Sequence, residues 1–246
     1  MSFEDFELNT ALTRGLKTAG YIRPAPIQEK AIPEIMQGHD VMGLAQTGTG
    51  KTAAFVLPIL NRLMGRPQNR TGALIIVPTR ELAEQIYTEI KKLGSKSKLK
   101  SALVFGGVNI RPQIQALKQA DIIVACPGRL LDHIQRKTVN LSALKVLVLD
   151  EADQMFDMGF LPDIRRIVKN VPASGRQTLL FSATMPGDIR KLTKEILQNP
   201  VTVKIGNTAP AVTVSHAMFP VSQRKKTELL IKLLGNTETD SVLVFT

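Results

Sequence analysis

The sequence contains a single cysteine, Cys126, in 246 residues, so no disulfide can form within the chain. A chain without disulfides fits a reducing compartment. The first ten residues include three acidic side chains and no basic start, which does not match a secretory signal peptide. Hydrophobic runs such as residues 53–60 are too short to cross a bilayer. These absences predict a cytoplasmic protein with no membrane partner.

Aromatic side chains are also scarce. Tryptophan is absent and aromatic residues make up 4% of the chain, so few rings can serve as stacking platforms for bases. Basic residues, in contrast, outnumber acidic ones and give a formal net charge of +11. A basic excess suits a polyanion, of which nucleic acid is the commonest. The composition therefore favours contacts with a sugar–phosphate backbone over the reading of bases.

A phosphate-binding loop is indicated by residues 45–52, which read AQTGTGKT. An apolar run with strand character precedes them and a helix-prone run follows, which is the context that such a loop requires. Glycines let the backbone point several N–H groups at one anion, and the following helix adds its positive N-terminal end. Ala45 stands where these loops usually carry their first glycine. The residues predicted to hold the phosphates are Ala45, Gln46, Thr47, Gly48, Thr49, Gly50, Lys51 and Thr52.

Two acidic residues, Asp150 and Glu151, directly follow the apolar run 146–149. In a nucleoside triphosphatase, an acidic residue after a strand and the hydroxyl of the phosphate loop hold Mg²⁺. We therefore expect Thr52 and Asp150 to be metal ligands and Lys51 to contact the outer phosphates. Glu151 is placed to orient or deprotonate the attacking water.

Short apolar runs alternate with helical patterns from residue 41 onward. The runs are continuous, which indicates strands buried on both faces. This alternation predicts an α/β fold with a doubly wound parallel sheet, whose ligands bind at the carboxyl ends of the strands. The predicted strands are 41–45, 73–77, 102–105, 122–125, 146–149 and 178–181. The predicted helices are 8–19, 27–37, 52–64, 80–93, 110–119, 128–136, 162–169 and 187–197.

Near residue 206 the alternation stops, and we expect a linker there. Beyond it the pattern predicts a strand at 212–219, a helix at 223–234 and a strand at 242–245. The roughly 40 residues after the linker are too few for a second α/β lobe of ordinary size. The expected domains are thus 1–206, and 207–246 as a linker with an incomplete second lobe. Lacking a sheet, strand 242–245 should be disordered, packed on the first lobe, or paired with a second molecule.

The run Asp150-Glu151-Ala152-Asp153 resembles the motif that names the DEAD-box RNA helicases of superfamily 2. The whole chain resembles the N-terminal RecA-like lobe of that family, a P-loop NTPase fold, and the bacterial RhlE-type branch in particular. The resemblance implies an ATP-dependent RNA helicase that uses ATP and Mg²⁺ and binds RNA through its backbone.

Residues 20–28 resemble the Q motif of that family, within a segment that covers residues 1–29. The resemblance implies that Gln28 hydrogen-bonds the adenine edge and that Phe3 stacks on the ring, which would select ATP. Another interpretation of Phe3 is a core anchor for the first helix, a role that Phe6 could equally fill. Ala25 stands where the family usually has Thr or Ser, so one hydroxyl contact to the phosphate loop is missing.

Three further segments resemble motifs that hold the RNA backbone in the family. They are residues 78–83 (motif Ia), the glycine pair that follows it, and residues 126–129 (motif Ib), where Cys126 replaces the usual Thr. The implied RNA contacts are Thr79, Arg80, Gly106, Gly107, Gly128 and Arg129. Residues 182–184 resemble motif III, in which Ser182 and Thr184, with Asp153, would couple the nucleotide site to RNA.

The last residues, 243–246, resemble the start of motif IV, and the later motifs that supply arginine fingers have no counterpart in this sequence. Arginine fingers contribute strongly to phosphoryl transfer. We therefore expect the chain to bind ATP and RNA weakly and not to unwind a duplex alone. Two alternatives stay open: a non-helicase P-loop kinase or transporter ATPase, and a short RNA-binding module with no catalytic duty.

Overall fold

The computed structural model describes residues 1–65, 70–206, 215, 217–236 and 241–245. The chain divides into two compact units, Met1–Gly206 and Asn207–Thr246. The strands described in the first unit are β1 (Val41–Leu44), β2 (Ala73–Ile76), β3 (Ser101–Val104), β4 (Ile122–Ala125), β5 (Val146–Leu149), β6 (Gln177–Ser182) and β7 (Val201–Lys204). Its helices are α1 (Thr10–Thr18), α2 (Pro26–Met36), α3 (Lys51–Met64), α4 (Arg80–Leu93), α5 (Ile110–Leu117), α6 (Pro127–Gln135), α7 (Ala152–Asp157), α8 (Leu161–Val168) and α9 (Gly187–Ile196), after a 3-10 turn at Phe3–Phe6.

All seven strands form one sheet in the order β3-β4-β2-β5-β6-β1-β7, and every described strand pair is parallel. A parallel pair needs a crossover connection, and here helices provide those crossovers. All strands therefore end at the same edge, called here the carboxyl edge. The predicted parallel α/β sheet is confirmed.

Successive strand residues point to opposite faces of the sheet, and both faces are buried. Ile75 and Val148 belong to one apolar cluster, which also contains residues of helices α1 to α4. Ile76 and Leu149 belong to a second cluster, which helices α6 to α9 cover. This double burial explains the continuous apolar runs in the sequence and confirms that the sheet is doubly wound.

The opposite edge of the sheet is fixed by a buried carboxylate, Asp40. Its Oδ1 accepts the Thr178 N–H at 2.7 Å and its Oδ2 accepts the Gln198 N–H, also at 2.7 Å. These bonds tie the start of β1 to β6 and to the segment before β7. Strand β7 was not predicted, because only Val203 of its four residues is buried and its short alternating pattern is weak in sequence.

The second unit differs from the sequence prediction. The predicted helix 223–234 is confirmed as a 3-10 turn at Gln223–Lys225 followed by α10 (Lys226–Gly235). The strand prediction is wrong for residues 215, 217–219 and 242–245, which have no regular secondary structure; residues 212–214 and 216 lie outside the described residues. The side chains of residues 242–245 are exposed. A strand needs a hydrogen-bonded neighbour, and the described part of this unit contains none.

We predict that Gly43→Ala destabilises the fold. A Cβ at Gly43 would lie 2.4 Å from Cδ1 of Phe181, whose fully buried ring packs against Phe55 with centroids 5.3 Å apart. Overpacking of this kind lowers the free energy of unfolding by about 1–3 kcal/mol, which urea denaturation would measure. The control is Gly187→Ala, because among the described residues no atom beyond its own chain neighbours and helix backbone lies within 4 Å of the added carbon. Equal stability of the two variants would contradict the prediction.

Candidate functional site

The loop between β1 and α3 lies at the carboxyl edge of the sheet. Gly48 and Gly50 adopt φ angles of +83° and +91°, which L side chains rarely adopt, and α3 begins at Lys51. The Thr49 hydroxyl donates to the Gln46 carbonyl at 2.8 Å and holds the turn. The loop is exposed from Gln46 to Gly48. Its backbone can therefore approach an anion at the N-terminal end of the helix.

Gln28 braces this loop from the side. Its Oε1 accepts the Ala25 N–H at 2.9 Å at the start of α2, and its Nε2 donates to the Gly50 carbonyl at 3.0 Å. The side chain is 2% exposed. A Cβ at Gly50 would lie 2.6 Å from this amide nitrogen and 3.3 Å from the Ala25 methyl group. Glycine is therefore required at position 50 by close packing as well as by its φ angle.

Phe3 lies in the hydrophobic core next to this region. It is 7% exposed, and its ring makes edge contacts with Phe6 and Tyr21 at centroid distances of 6.0 and 5.8 Å. The Tyr21 hydroxyl donates to Glu89 at 2.7 Å. Burial is the main cause that raises the Tyr21 pKa, and the Glu89 carboxylate raises it further. Tyr21, which the sequence analysis did not select, lines the cavity described next. The stacking role of Phe3 stays a prediction.

Lys51 and Glu151 form a buried ion pair beneath the loop. Lys51 Nζ donates to Glu151 Oε1 at 2.9 Å, with side-chain exposures of 5% and 9%. The Thr47 hydroxyl donates to the same oxygen at 3.0 Å. Above this pair lies a cavity of about 370 Å³ lined by Tyr21, Thr47, Gly48, Gly50, Lys51, Thr52, Ala53, Leu82, Gln85, Glu89, Asp150 and Glu151. The structure thus brings five of the eight predicted phosphate residues to one cavity with Asp150 and Glu151; Ala45, Gln46 and Thr49 are not among its lining residues.

Asp150 is a buried carboxylate in that cavity. Burial raises its pKa to about 7; the nearby Lys51 charge opposes this shift and Glu151 adds to it. Asp150 Oδ1 accepts the Glu151 N–H at 3.0 Å, but Lys51 forms its ion pair with Glu151. Among the described residues, no cluster of three or more His, Cys, Asp or Glu side chains could hold a metal by itself. The carboxylate of Asp150 and the hydroxyl of Thr52 are among the oxygen donors that line the cavity.

Asp153 is brought together with Ser182 and Thr184, as predicted. The Thr184 N–H and hydroxyl both donate to Asp153 Oδ2, at 2.8 and 2.9 Å, and the Asp153 N–H donates to the Ser182 hydroxyl at 3.2 Å. Burial opposes ionisation of Asp153, but the hydrogen bonds from Thr184 and Ser182 outweigh it and lower its pKa. The Ser182 carbonyl accepts the Ala45 N–H at 3.1 Å, so this cluster touches the phosphate loop.

The other predicted contacts follow three neighbouring strands, β3, β4 and β2, at the same edge. Thr79 caps α4, because its hydroxyl accepts the Leu82 N–H at 3.3 Å. The Arg80 guanidinium lies 4.6 Å from the centre of the Phe105 ring and pairs with Glu84 at 2.9 Å. It remains half-exposed, so its charge can reach a ligand.

The glycine pair after β3 is joined to helix α6. Gly107 has a φ angle of +79°. In the described part of the chain, no atom other than those of the local backbone and chain neighbours lies within 4 Å of a Cβ built at Gly106, Gly107 or Gly128. Arg129 Nη1 donates to the Val108 carbonyl at 3.0 Å, and its side chain is 15% exposed. Sequence reasoning missed Phe105 and Val108, because their partners lie far along the chain.

Cys126 is the N-cap of α6 and offers no side-chain cap. Burial, together with the nearby Glu81 carboxylate, raises the pKa of its thiol to about 11. A thiol with such a pKa stays protonated near neutral pH, so it is a poor nucleophile.

The described residues include no helix long and apolar enough to cross a membrane.

Comparisons with known proteins agree on one family. Residues 25–192 match the family model of the DEAD/DEAH box helicases. The chain is 42% identical over 247 residues to the DEAD-box ATP-dependent RNA helicase RhpA of Helicobacter pylori, covering all of this chain and 50% of RhpA. It is 43% identical over 255 residues to the ATP-dependent RNA helicase RhlB of Xanthomonas oryzae, covering 44% of RhlB.

Solved structures give the same result. A DEAD box protein from the hyperthermophile Methanococcus jannaschii matches with a TM-score of 0.80 and 37% identity, covering 97% of this chain and 64% of that chain. The chain spans about half the length of the curated relatives that it matches. Because the family model covers most of the chain, including the phosphate loop and the acidic cluster, the chain belongs to the DEAD/DEAH box helicase family.

Proposed function

We propose that this chain is the nucleotide- and RNA-binding lobe of an ATP-dependent RNA helicase. The observation that carries the proposal is the buried Lys51–Glu151 pair, 2.9 Å apart, beneath an exposed glycine loop. A lysine buried at the N-terminal end of a helix suits the outer phosphates of ATP. Residues 1–206 would form this lobe, and residues 207–246 would form a linker and the start of a second one.

In this proposal Lys51 exchanges partners when ATP binds. A phosphate oxygen offers Lys51 a second anion, which weakens its hold on Glu151. Glu151 Oε1 then becomes available to orient the attacking water and accept its proton. The Thr47 hydroxyl, which donates to the same oxygen, keeps the carboxylate directed into the cavity during the exchange. Lys51 thus links phosphate binding to preparation of the base.

Mg²⁺ fits the donors in the cavity. A buried carboxylate without a cationic partner is costly, and the raised pKa of Asp150 expresses that cost. Mg²⁺ prefers one or two protein oxygens together with phosphate oxygens and water, which matches Asp150 and Thr52. When bound, the ion would neutralise charge on the phosphates. We propose that Asp150 and Thr52 hold it and that the bound ion would favour the ionised form of Asp150.

The base of the nucleotide would be recognised by Gln28, the residue that braces the phosphate loop. Each atom of the Gln28 amide makes one hydrogen bond in the structure and has capacity for another. We propose that adenine uses that capacity, so that base recognition acts on the Gly50 carbonyl and hence on the loop. Phe3 would stack on the ring. RNA would bind along Thr79, Arg80, Gly106, Gly107, Gly128 and Arg129, where glycines, a helix N-terminus and arginines favour phosphate.

The first test is the affinity of the chain for a fluorescent ADP, compared with Lys51→Ala and Gln28→Ala. We expect Lys51→Ala to weaken binding at least tenfold, because the phosphates lose their main cationic partner. Gln28→Ala should weaken binding and also remove the preference for adenine over guanine nucleotides. Titration by fluorescence anisotropy, with ATP and GTP as competitors, measures both effects.

The matched control for the charge change is Lys191→Ala, because Lys191 is an exposed residue that pairs with Asp188 on the surface of α9. It should leave the affinity unchanged. Wild-type binding without any adenine preference would contradict the role of Gln28. Equal binding by wild type and Lys51→Ala would overturn the phosphate site itself.

A second prediction concerns pH and Asp150. Its folded pKa, about 7, lies above the unfolded value of about 4. Folding therefore favours the protonated carboxyl group. The stability that this preference contributes is complete below about pH 4 and is lost as the pH rises from about 4 through 7. In EDTA, Asp150→Asn should have the larger free energy of unfolding, by up to about 4 kcal/mol at pH 8 and less than half of that at pH 5.

Urea denaturation at several pH values measures this difference. Asp157→Asn is the control, since Asp157 is exposed, and it should have little effect at any pH. A stability gap between wild type and Asp150→Asn that stays constant from pH 5 to pH 8 would show that burial of the carboxylate is not its cause.

A further inference from the structure

Behind the glycine pair lies a row of three polar side chains, the buried Gln113 and His133 and the partly buried Thr138. Gln113 Nε2 donates to the Phe105 carbonyl at 3.1 Å, and its Oε1 lies 3.3 Å from His133 Nε2. His133 Nδ1 lies 2.7 Å from the Thr138 hydroxyl. Gln113 is 7% exposed and His133 is fully buried. We call these three side chains the histidine bridge; no sequence motif predicted a functional role for them.

The hydrogen-bond directions in the bridge are determined by the carbonyl at its end. The Phe105 carbonyl can only accept, so the Gln113 amide must donate to it, and the Gln113 oxygen then faces His133. In the neutral imidazole, His133 Nε2 must therefore carry a proton. Nδ1 then accepts from the Thr138 hydroxyl, whose proton is shared with the His133 carbonyl at 3.2 Å. Burial, reinforced by the Arg129 charge, lowers the pKa of His133. The imidazole is thus neutral near pH 7.

The bridge holds one end of the loop that carries the glycine pair. Residues 105–108 begin with the Phe105 carbonyl, which Gln113 holds, and end with the Val108 carbonyl, which Arg129 Nη1 holds at 3.0 Å. His133 and Arg129 lie four residues apart on α6, and therefore on the same face of that helix. One helix thus holds both ends of the loop, directly through Arg129 and indirectly through His133 and Gln113.

The loop also supports Arg80. Its guanidinium lies on the Phe105 ring, 4.6 Å from the centre, so the position of Phe105 sets the position of that charge. Gly106 and Gly107 have no side chains of their own with which to fix the loop. Displacement of Phe105 would therefore change the spacing of the glycine N–H groups, Arg80 and Arg129 together.

We propose that Gln113 and His133 are positioning residues that set this spacing to match successive phosphates of an RNA strand. The inference rests on the proposed RNA-binding function and deepens it. The bridge does not touch RNA. It preorganises a surface whose own side chains are short or flexible, which reduces the ordering required when a strand binds.

The experiment uses the full 246-residue chain and a fluorescein-labelled single-stranded RNA, with anisotropy titrations between 50 and 200 mM salt. Gln113→Met and His133→Leu remove the hydrogen bonds at similar volume. We expect both to lower the RNA affinity three- to tenfold. The slope of log K against log salt should become shallower by about 0.7 for each phosphate that the protein no longer neutralises. The affinity for fluorescent ADP should stay unchanged.

A conservative variant separates positioning from folding. His133→Gln keeps a donor directed at Gln113, and it should restore most of the RNA affinity and the salt slope. Gln115→Met is the matched control, because Gln115 lies on the exposed side of the same helix, α5. It should bind RNA like wild type.

The outcomes are distinguishable. Wild-type RNA affinity and salt slope in both Gln113→Met and His133→Leu would overturn the inference and leave the proposed function standing. A lower melting temperature with an unchanged salt slope would also overturn it, because the bridge would then be merely structural. Failure of the wild-type chain to bind RNA, with ADP still bound, would remove the RNA part of the proposed function and this inference with it.

Discussion

The buried ammonium group of Lys51 is the charge around which the site is built. An unpaired buried cation is strongly destabilising, so this side chain requires an anion nearby. Glu151 provides one at 2.9 Å, 100 residues further along the chain. Lys51 begins α3 after β1, and Glu151 follows β5; only β6 separates these strands in the sheet. The pair therefore depends on the parallel arrangement, which brings both strand ends to one edge.

Three carboxylates in four consecutive residues have three different environments. Burial holds the pKa of Asp150 near 7, Glu151 is paired with Lys51, and hydrogen bonds from Thr184 lower the pKa of Asp153. Because their environments differ, the three carboxylates of one short segment can serve as a cation ligand, a general base and a structural contact. Asp153 stays ionised because donors surround it, so it can act as a permanent link between the acidic segment and β6.

The sequence alone was sufficient to predict those features whose signal lies within a short stretch of the chain. Glycine spacing between a strand and a helix marks the phosphate loop, and continuous apolar runs mark strands buried on both faces. The sequence was insufficient to predict features that depend on contacts between residues far apart in the chain. Strand β7 is held partly by Asp40 through a bond 158 residues away in sequence, and its own pattern is too short to detect. Gln113 and His133 look like ordinary surface-helix residues until the fold places them behind the Phe105 carbonyl.

Gln28 shows a second limit of prediction from the sequence. Its role toward adenine came from a resemblance, whereas the structure shows two protein partners, the Ala25 N–H and the Gly50 carbonyl. No local pattern predicts the second partner, because it lies 22 residues away across a helix and a strand. The same holds for Phe3, whose burial against Tyr21 depends on the chain returning to it after α1.

The sheet order also indicates how the two halves of the site can act on each other. Strands β3, β4 and β2 end beneath the proposed RNA face, and β5, β6 and β1 end beneath the nucleotide cavity. Helix α4 belongs to both halves. Its first residue, Arg80, lies on Phe105, while Leu82, Gln85 and Glu89 line the cavity. The two halves of the site thus share one continuous helix, Arg80–Leu93, which is a direct physical connection between them.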